Sequence, residues 1–98
     1  MYKCYSKEML TELGKIYGEL LKILNTQEKD PCRNMVDTFP IKCFMLNYKK
    51  ALHIGIPKAL EKKIGEYMDK ITAEDFSSCM ETPVPINLRQ YFTLGLLS

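Results

Sequence analysis

The side chains of this chain that are best suited to catalysis, redox chemistry or metal binding are those of four cysteines and one histidine, His53. The cysteines are Cys4, Cys32, Cys43 and Cys79. Successive cysteines are 28, 11 and 36 positions apart, which is too far for a Cys-x2-4-Cys zinc knuckle or a CxxC redox centre. His53 lies ten positions after Cys43 on one predicted helix, about 15 Å along its axis, so these two side chains do not meet. We predict no catalytic residue, no metal site and no cofactor.

The cysteine count leaves two redox states open. Four cysteines in 98 residues fit either disulfides in a secreted chain or separate thiols in a reducing cell. Residues 1–30 carry a charge every few positions, so they hold no apolar signal segment, and no apolar run reaches the length of a membrane span. A mature secreted chain without its leader would look the same. We predict a cytoplasmic protein with four thiols, and the alternative is a secreted protein with disulfides.

Length and composition predict one helical domain over residues 1–98. Hydrophobic residues make up 46% of the chain and charged residues 27%, as in ordinary soluble domains. Apolar side chains that recur at three- and four-residue spacing predict an all-α fold, a compact bundle of four main helices. These cover about 6–25, 40–54, 57–71 and 87–97, with a short helical turn near 72–80. No glycine-rich phosphate loop interrupts them, so the sequence indicates a protein that is not an enzyme.

Glycines and the chain end predict how the bundle closes. Gly14 and Gly18 stand four apart on the first helix, where each lowers helix stability, so another backbone should approach closely there. Arg89 is the only charge in the last helix, which is apolar nearly all round. We predict that this helix packs into the core, with the interface of a homodimer as the alternative.

Positive charge is concentrated in the middle of the chain. Residues 31–70 hold eight positive and four negative side chains, although the net charge of the chain is only +2. The lysines near the junction of the second and third helices are Lys49, Lys50, Lys58, Lys62, Lys63 and Lys70. Base readout and bidentate phosphate contact favour arginine, and the chain has only two arginines. We therefore expect these lysines to form a solvated face or to contact an acidic partner, in preference to binding nucleic acid.

These observations predict a small non-enzymatic regulatory or interaction protein that binds another protein. Its expected contact surface combines the apolar last helix with nearby lysines. The candidate residues are Leu88, Tyr91, Phe92, Leu96, Lys58, Lys62 and Lys63. The identity of the partner is not encoded in any motif.

One resemblance implies a secreted ligand. Cys4 precedes the first helix, Cys32 follows it after Asp30 and Pro31, and Cys43 lies in the second helix within Lys42-Cys43-Phe44-Met45-Leu46. This order resembles that of the short-chain four-helix cytokines over roughly residues 3–46. The resemblance implies receptor contacts along exposed faces of the first and last helices. It also implies Cys4–Cys79 with Cys32–Cys43 as one of the three pairings that four cysteines allow.

A second resemblance implies a DNA-binding repressor. The segment Ala51-Leu52-His53-Ile54-Gly55-Ile56-Pro57 alternates loosely and precedes an amphipathic helix. It is similar to the strand and first helix of ribbon-helix-helix repressors over about 20 residues. The resemblance implies a β-ribbon that reads bases, with His53 as its candidate side chain.

Overall fold

The first helix, α1, is the central element of the bundle. A computed structural model describes residues 5–24 and 35–97, so Cys4 and Cys32 lie outside the described residues. The helices are α1 Lys7–Leu24, α2 Pro40–Ile54, α3 Lys58–Asp69, α4 Ala73–Glu81 and α5 Arg89–Leu96, with a 3₁₀ helix at Ile86–Leu88. The described residues contain no strand. The predicted all-α fold is confirmed, and each predicted element is present within about two residues of its expected ends.

Sequence signals at the helix ends act as predicted. The Ser6 hydroxyl oxygen accepts a hydrogen bond from the Met9 N–H at 3.2 Å, which caps α1. Thr72 caps α4 in the same way through the Asp75 N–H at 3.1 Å. Gly55 ends α2 at φ +113°, a conformation that side chains rarely adopt, and its N–H donates to the Ala51 carbonyl at 2.8 Å.

The contact between α1 and α5 brings two backbones together. A Cβ added to Gly14 would lie 2.2 Å from the Phe92 carbonyl oxygen, and one added to Gly95 would lie 2.0 Å from that of Thr11. At Gly18 the nearest atom would be the Leu96 carbonyl oxygen at 3.3 Å. The predicted close approach at Gly14 and Gly18 is confirmed, and the approaching backbone belongs to α5.

The buried face of α2 includes a polar residue. Asn47 is 1% exposed and donates from Nδ2 to the Tyr17 hydroxyl at 2.8 Å and to the Cys43 carbonyl at 3.2 Å. This network joins α2 to α1. Leu52, in the last turn of α2, is 56% exposed, whereas its neighbour Ala51 is fully buried.

The last turn of α2 contradicts part of what the resemblance to ribbon-helix-helix repressors implies. The structure places Ala51–Ile54 in α2, so the implied β-ribbon is wrong for this part of the segment. His53 is exposed on the last helical turn.

Candidate functional site

Two of the predicted contact residues belong to the core. Phe92 is fully buried, and its ring meets that of Tyr17 edge-on at a centroid distance of 5.7 Å. Leu88 is 7% exposed. Neither side chain is on the surface of the described fold: Phe92 of α5 packs onto α1, and Leu88 is buried in the 3₁₀ helix before α5. The prediction that the last helix packs into the core is confirmed.

The predicted lysines lie on α3, but they do not act alike. Lys58 and Lys62 are exposed, whereas Lys63 Nζ lies 3.4 Å from the Glu19 carboxylate of α1. Lys70 at the end of α3 pairs in the same way with Glu12 at 2.9 Å. Two lysines of the basic middle segment thus attach α3 to α1. Only Lys58 and Lys62 among the predicted contact lysines are left out of these two ion pairs.

The solvent side of α1 carries three connected grooves. The first, about 270 Å³, lies between α1 and the end of α5 and is lined by Lys15, Gly18, Glu19, Leu21, Lys22, Leu96 and Leu97. A second, about 390 Å³, lies between α1 and α3 and is lined by Glu12, Lys15, Ile16, Glu19, Lys22 and Lys63. The third, about 240 Å³, reaches the start of α3 and is lined by Glu19, Lys22, Ile23, Pro57, Ala59, Leu60 and Lys63. We call this surface, from Leu97 across Glu19 and Lys22 to Leu60, the α1 groove face.

The α1 groove face brings together two of the predicted residues from different helices. Leu96 lines it from α5 and Lys63 from α3, on opposite sides of Glu19 and Lys22. Leu97 borders it with 78% of its surface exposed. The sequence indicated an apolar last helix beside lysines, but it did not indicate that α1 lies between them.

Tyr91 lies on the solvent side of α1 nearer its N-terminus. The Lys7 ammonium stands 5.4 Å from the centre of the Tyr91 ring, a cation–π contact. A shallow depression next to this pair is lined by Lys7, Glu8, Thr11, Glu12, Lys15 and Tyr91. Because Lys15 also lines the first groove, Tyr91 extends the α1 groove face rather than forming a separate site.

The charges on the α1 groove face alternate in sign. Glu12 and Glu19 are compensated by lysines of α3. Neither ion pair found among the described residues includes Lys15 or Lys22, which are exposed. The face therefore presents two lysines that have no carboxylate partner within residues 5–24 and 35–97, next to an apolar groove wall.

A second exposed apolar group, missed by the sequence analysis, lies at the end of α2. Leu52 is 56% exposed and Ile54 63% exposed. Lys49, Lys50 and His53 surround them in the sequence. None of these residues lines any of the four depressions described above.

The two described cysteines are buried, one on α2 and one on α4. The implied Cys32–Cys43 pairing involves Cys32, which lies outside the described residues. Cys79, like Cys43, is fully buried. No disulfide joins two described residues. The Tyr5 hydroxyl donates to the Cys79 carbonyl at 2.6 Å and also contacts the Thr82 carbonyl, which fixes the start of the described chain against α4.

A buried hydroxyl lies at the contact between α1 and α3. Tyr67 is fully buried, and its hydroxyl has no hydrogen-bond partner among the described residues. Burial raises the pKa of Tyr67 well above its usual value near 10, and the negative charge of Glu12 adds to the effect. The neutral phenol is therefore the form that this contact accommodates.

Other kinds of site are not seen in the described part of the chain. Residues 5–24 and 35–97 contain no cluster of histidine, cysteine and acidic side chains able to hold a metal ion. None of the described helices is both long enough and apolar enough to cross a bilayer. Comparisons with protein-family models, curated proteins and solved structures give no match to this chain.

Proposed function

We propose that this protein is a small non-enzymatic regulatory or interaction protein that acts by binding another protein through the α1 groove face. The observation that carries the proposal is the set of three grooves that share Glu19 and Lys22. Concave surfaces with apolar walls and a few charged groups are typical of contact sites, whereas scattered exposed leucines are ordinary. The grooves give the exposed Leu97 a place within a continuous surface.

The rigidity of one wall supports this choice of surface. Gly14 and Gly95 hold α5 against α1 by backbone contact, so Leu96 and Leu97 are presented at a fixed position. A preformed surface loses less conformational freedom on binding than one that must be ordered first. The end of α2 lacks this support, because Leu52 and Ile54 lie on a terminal helical turn.

Site-specific photo-crosslinking tests the proposal. A photoreactive phenylalanine analogue replaces Leu97 in one variant and Leu52 in a matched control. Both leucines are exposed at a helix end, Leu52 in the last turn of α2 and Leu97 directly after α5. We expect a discrete adduct with another protein from position 97 and none from position 52 in extracts of the source cells. The captured protein, once purified, should bind the unmodified chain in sedimentation experiments.

Three results would contradict the proposal. Adducts from position 52 alone would assign the contact to the end of α2. Adducts of the chain with its own copies alone would assign the surface to a homodimer. A captured protein that fails to bind in purified form would show that the adduct arose by chance collision.

A second candidate function, a secreted disulfide-stapled ligand of the cytokine kind, is supported by Cys79. A structural disulfide is typical of an oxidising compartment, while a cytoplasmic location favours thiols. Cys4 directly precedes Tyr5, whose hydroxyl contacts the Cys79 carbonyl, so Cys4 is the partner that we propose for Cys79. The α1 groove face includes the first and last helices, which the cytokine resemblance implies for receptor contact.

Mass spectrometry separates these two candidates. Protein made under oxidising conditions is digested without reduction, with all thiols first alkylated. A Cys4–Cys79 linked peptide and an alkylated Cys43 would support the secreted ligand. Four alkylated cysteines would eliminate it and leave the cytoplasmic interaction protein.

A further inference from the structure

The chemistry of the α1 groove face specifies the kind of partner, an inference that rests on the proposed function. We infer that the face binds an acidic amphipathic helix of another protein. The apolar side chains of that helix enter the groove beside Leu96 and Leu97, and its carboxylates contact Lys15 and Lys22. The juxtaposition of an apolar groove wall with these two lysines carries the inference.

Charge complementarity favours a partner that carries negative charge. Glu12 and Glu19 are occupied by Lys70 and Lys63 of α3, so an incoming carboxylate does not meet them as isolated negative charges. Lys15 and Lys22 take part in neither of the ion pairs among the described residues. Opposite charges across an interface raise the association rate and fix the register of the partner.

The spacing of the lysines specifies the geometry of the partner. Lys15 and Lys22 are seven residues apart on α1, which is two helical turns or about 10 Å. Gly18 lies between them and lines the first groove together with Leu96. A helix aligned with α1 would match this pattern with two acidic residues two turns apart and an apolar residue between them.

The same face disfavours polyanions. A nucleic acid backbone or an anionic membrane surface presents negative charge without interruption. Glu8, which takes part in neither of the ion pairs among the described residues, would meet that charge at the N-terminal end of α1. A helix can place acidic residues only where the lysines are, so a protein partner fits the alternating signs better.

A display selection of random helical peptides on the folded protein tests the inference. We expect selected peptides to be richer in Asp and Glu than the starting library and to carry apolar residues between the acidic ones. Affinities are then measured by fluorescence anisotropy on the wild type and on a Lys15→Glu/Lys22→Glu variant. The control, Lys58→Glu/Lys62→Glu, makes the same charge change on α3 at positions outside the three grooves of the α1 groove face.

We expect binding to weaken at least about tenfold in the Lys15→Glu/Lys22→Glu variant and less than about twofold in the control. Equal binding to all three proteins, or greater loss in the control, would overturn the inference. Peptides that lack an acidic excess but lose affinity with Leu96→Asp would overturn the acidic partner while leaving the proposed function in place. Peptides that bind none of the groove residues would count against both.

Two further probes test the polyanion classes. Short duplex DNA and vesicles of phosphatidylcholine with phosphatidylserine are titrated at physiological salt with the same three proteins. We expect weaker binding of both probes than of the selected peptides. Tighter binding of either probe that is lost with Lys15→Glu/Lys22→Glu would overturn the inference in favour of a polyanion.

Discussion

The two sides of α1 are packed in different ways. On the α5 side, Gly14 and Gly95 place one backbone directly against the other. On the α3 side, the contact combines buried apolar side chains with two ion pairs, Lys63–Glu19 and Lys70–Glu12. The backbones of α1 and α5 have no room to move closer or slide past each other, whereas the contact between α1 and α3 can adjust by rotation of long side chains. The α1 groove face therefore has one rigid wall and one adaptable wall.

The largest expected effect comes from adding a methyl group to the rigid interface. Gly95→Ala places a Cβ 2.0 Å from the Thr11 carbonyl oxygen, so the two helices must separate. We expect a loss of about 4 kcal/mol or more in the free energy of unfolding, or failure to fold. Chemical denaturation followed by circular dichroism measures the change.

Gly65→Ala on α3 is the matched control, because a Cβ there meets no atom within 4 Å. Alanine favours a helix interior over glycine, so stability should rise by up to about 1 kcal/mol. Similar stabilities for the two alanine variants would mean that α5 is not in backbone contact with α1.

Two buried tyrosine hydroxyls should differ in their effect on stability, and both effects should be of intermediate size. One lies between α1 and α2, and the other lies between α1 and α3. Tyr17→Phe removes the acceptor of the buried Asn47 amide, so we expect a loss of about 1–2 kcal/mol. Tyr67→Phe removes a buried hydroxyl that has no hydrogen-bond partner in the described part of the chain, so stability should stay the same or rise. Urea unfolding of both variants checks the difference, and a larger loss in Tyr67→Phe would contradict it.

Alkaline pH should act on the α3 side. The pKa of Tyr67 is higher in the folded state than the unfolded value near 10, because burial disfavours the charged phenolate. The stability that the folded state gains by holding the neutral phenol is fully present below about pH 10. It is lost as the pH rises further, because the unfolded chain releases this proton first. We expect unfolding free energy to fall less steeply above that pH in Tyr67→Phe than in the wild type. Parallel slopes would contradict the burial of this hydroxyl.

The smallest effect is expected from the ion pairs. Lys63 and Glu19 are about half exposed, so solvent screens their attraction. Lys63→Ala should cost less than about 1 kcal/mol, and the cost should shrink further at high salt. Denaturation at two salt concentrations checks this, with Lys62→Ala as the control for loss of a lysine on the same helix. A large salt-independent loss would show that the α3 side is as rigid as the α5 side.

The helices could be predicted because their signals are local. Pro40 and Gly55 mark the ends of α2, and Thr72 caps α4 three residues before Asp75. Gly14 even indicated a backbone contact, since a helix glycine without a packing role lowers stability. The sequence could not show which helix makes that contact, because the pairing depends on tertiary packing.

The site was harder to predict than the fold. Phe92 and Leu97 both belong to an apolar stretch, yet one is fully buried and the other is 78% exposed. Lys63 and Lys62 are neighbours, yet only Lys63 reaches Glu19. These differences follow from the angle at which α5 and α3 cross α1, which apolar spacing does not specify. Asn47 was missed because a polar residue breaks the pattern used to assign a buried face.

Mapping of a bound partner by NMR tests the central claim most directly. Backbone amide shifts of the folded protein are recorded with and without the partner captured by crosslinking, or with a peptide selected by display. We predict that the largest shifts cluster at Lys15, Gly18, Lys22 and Leu96, on the α1 groove face. Shifts centred on Leu52 and Ile54, with the α1 amides unchanged, would contradict the assignment of the contact surface to α1.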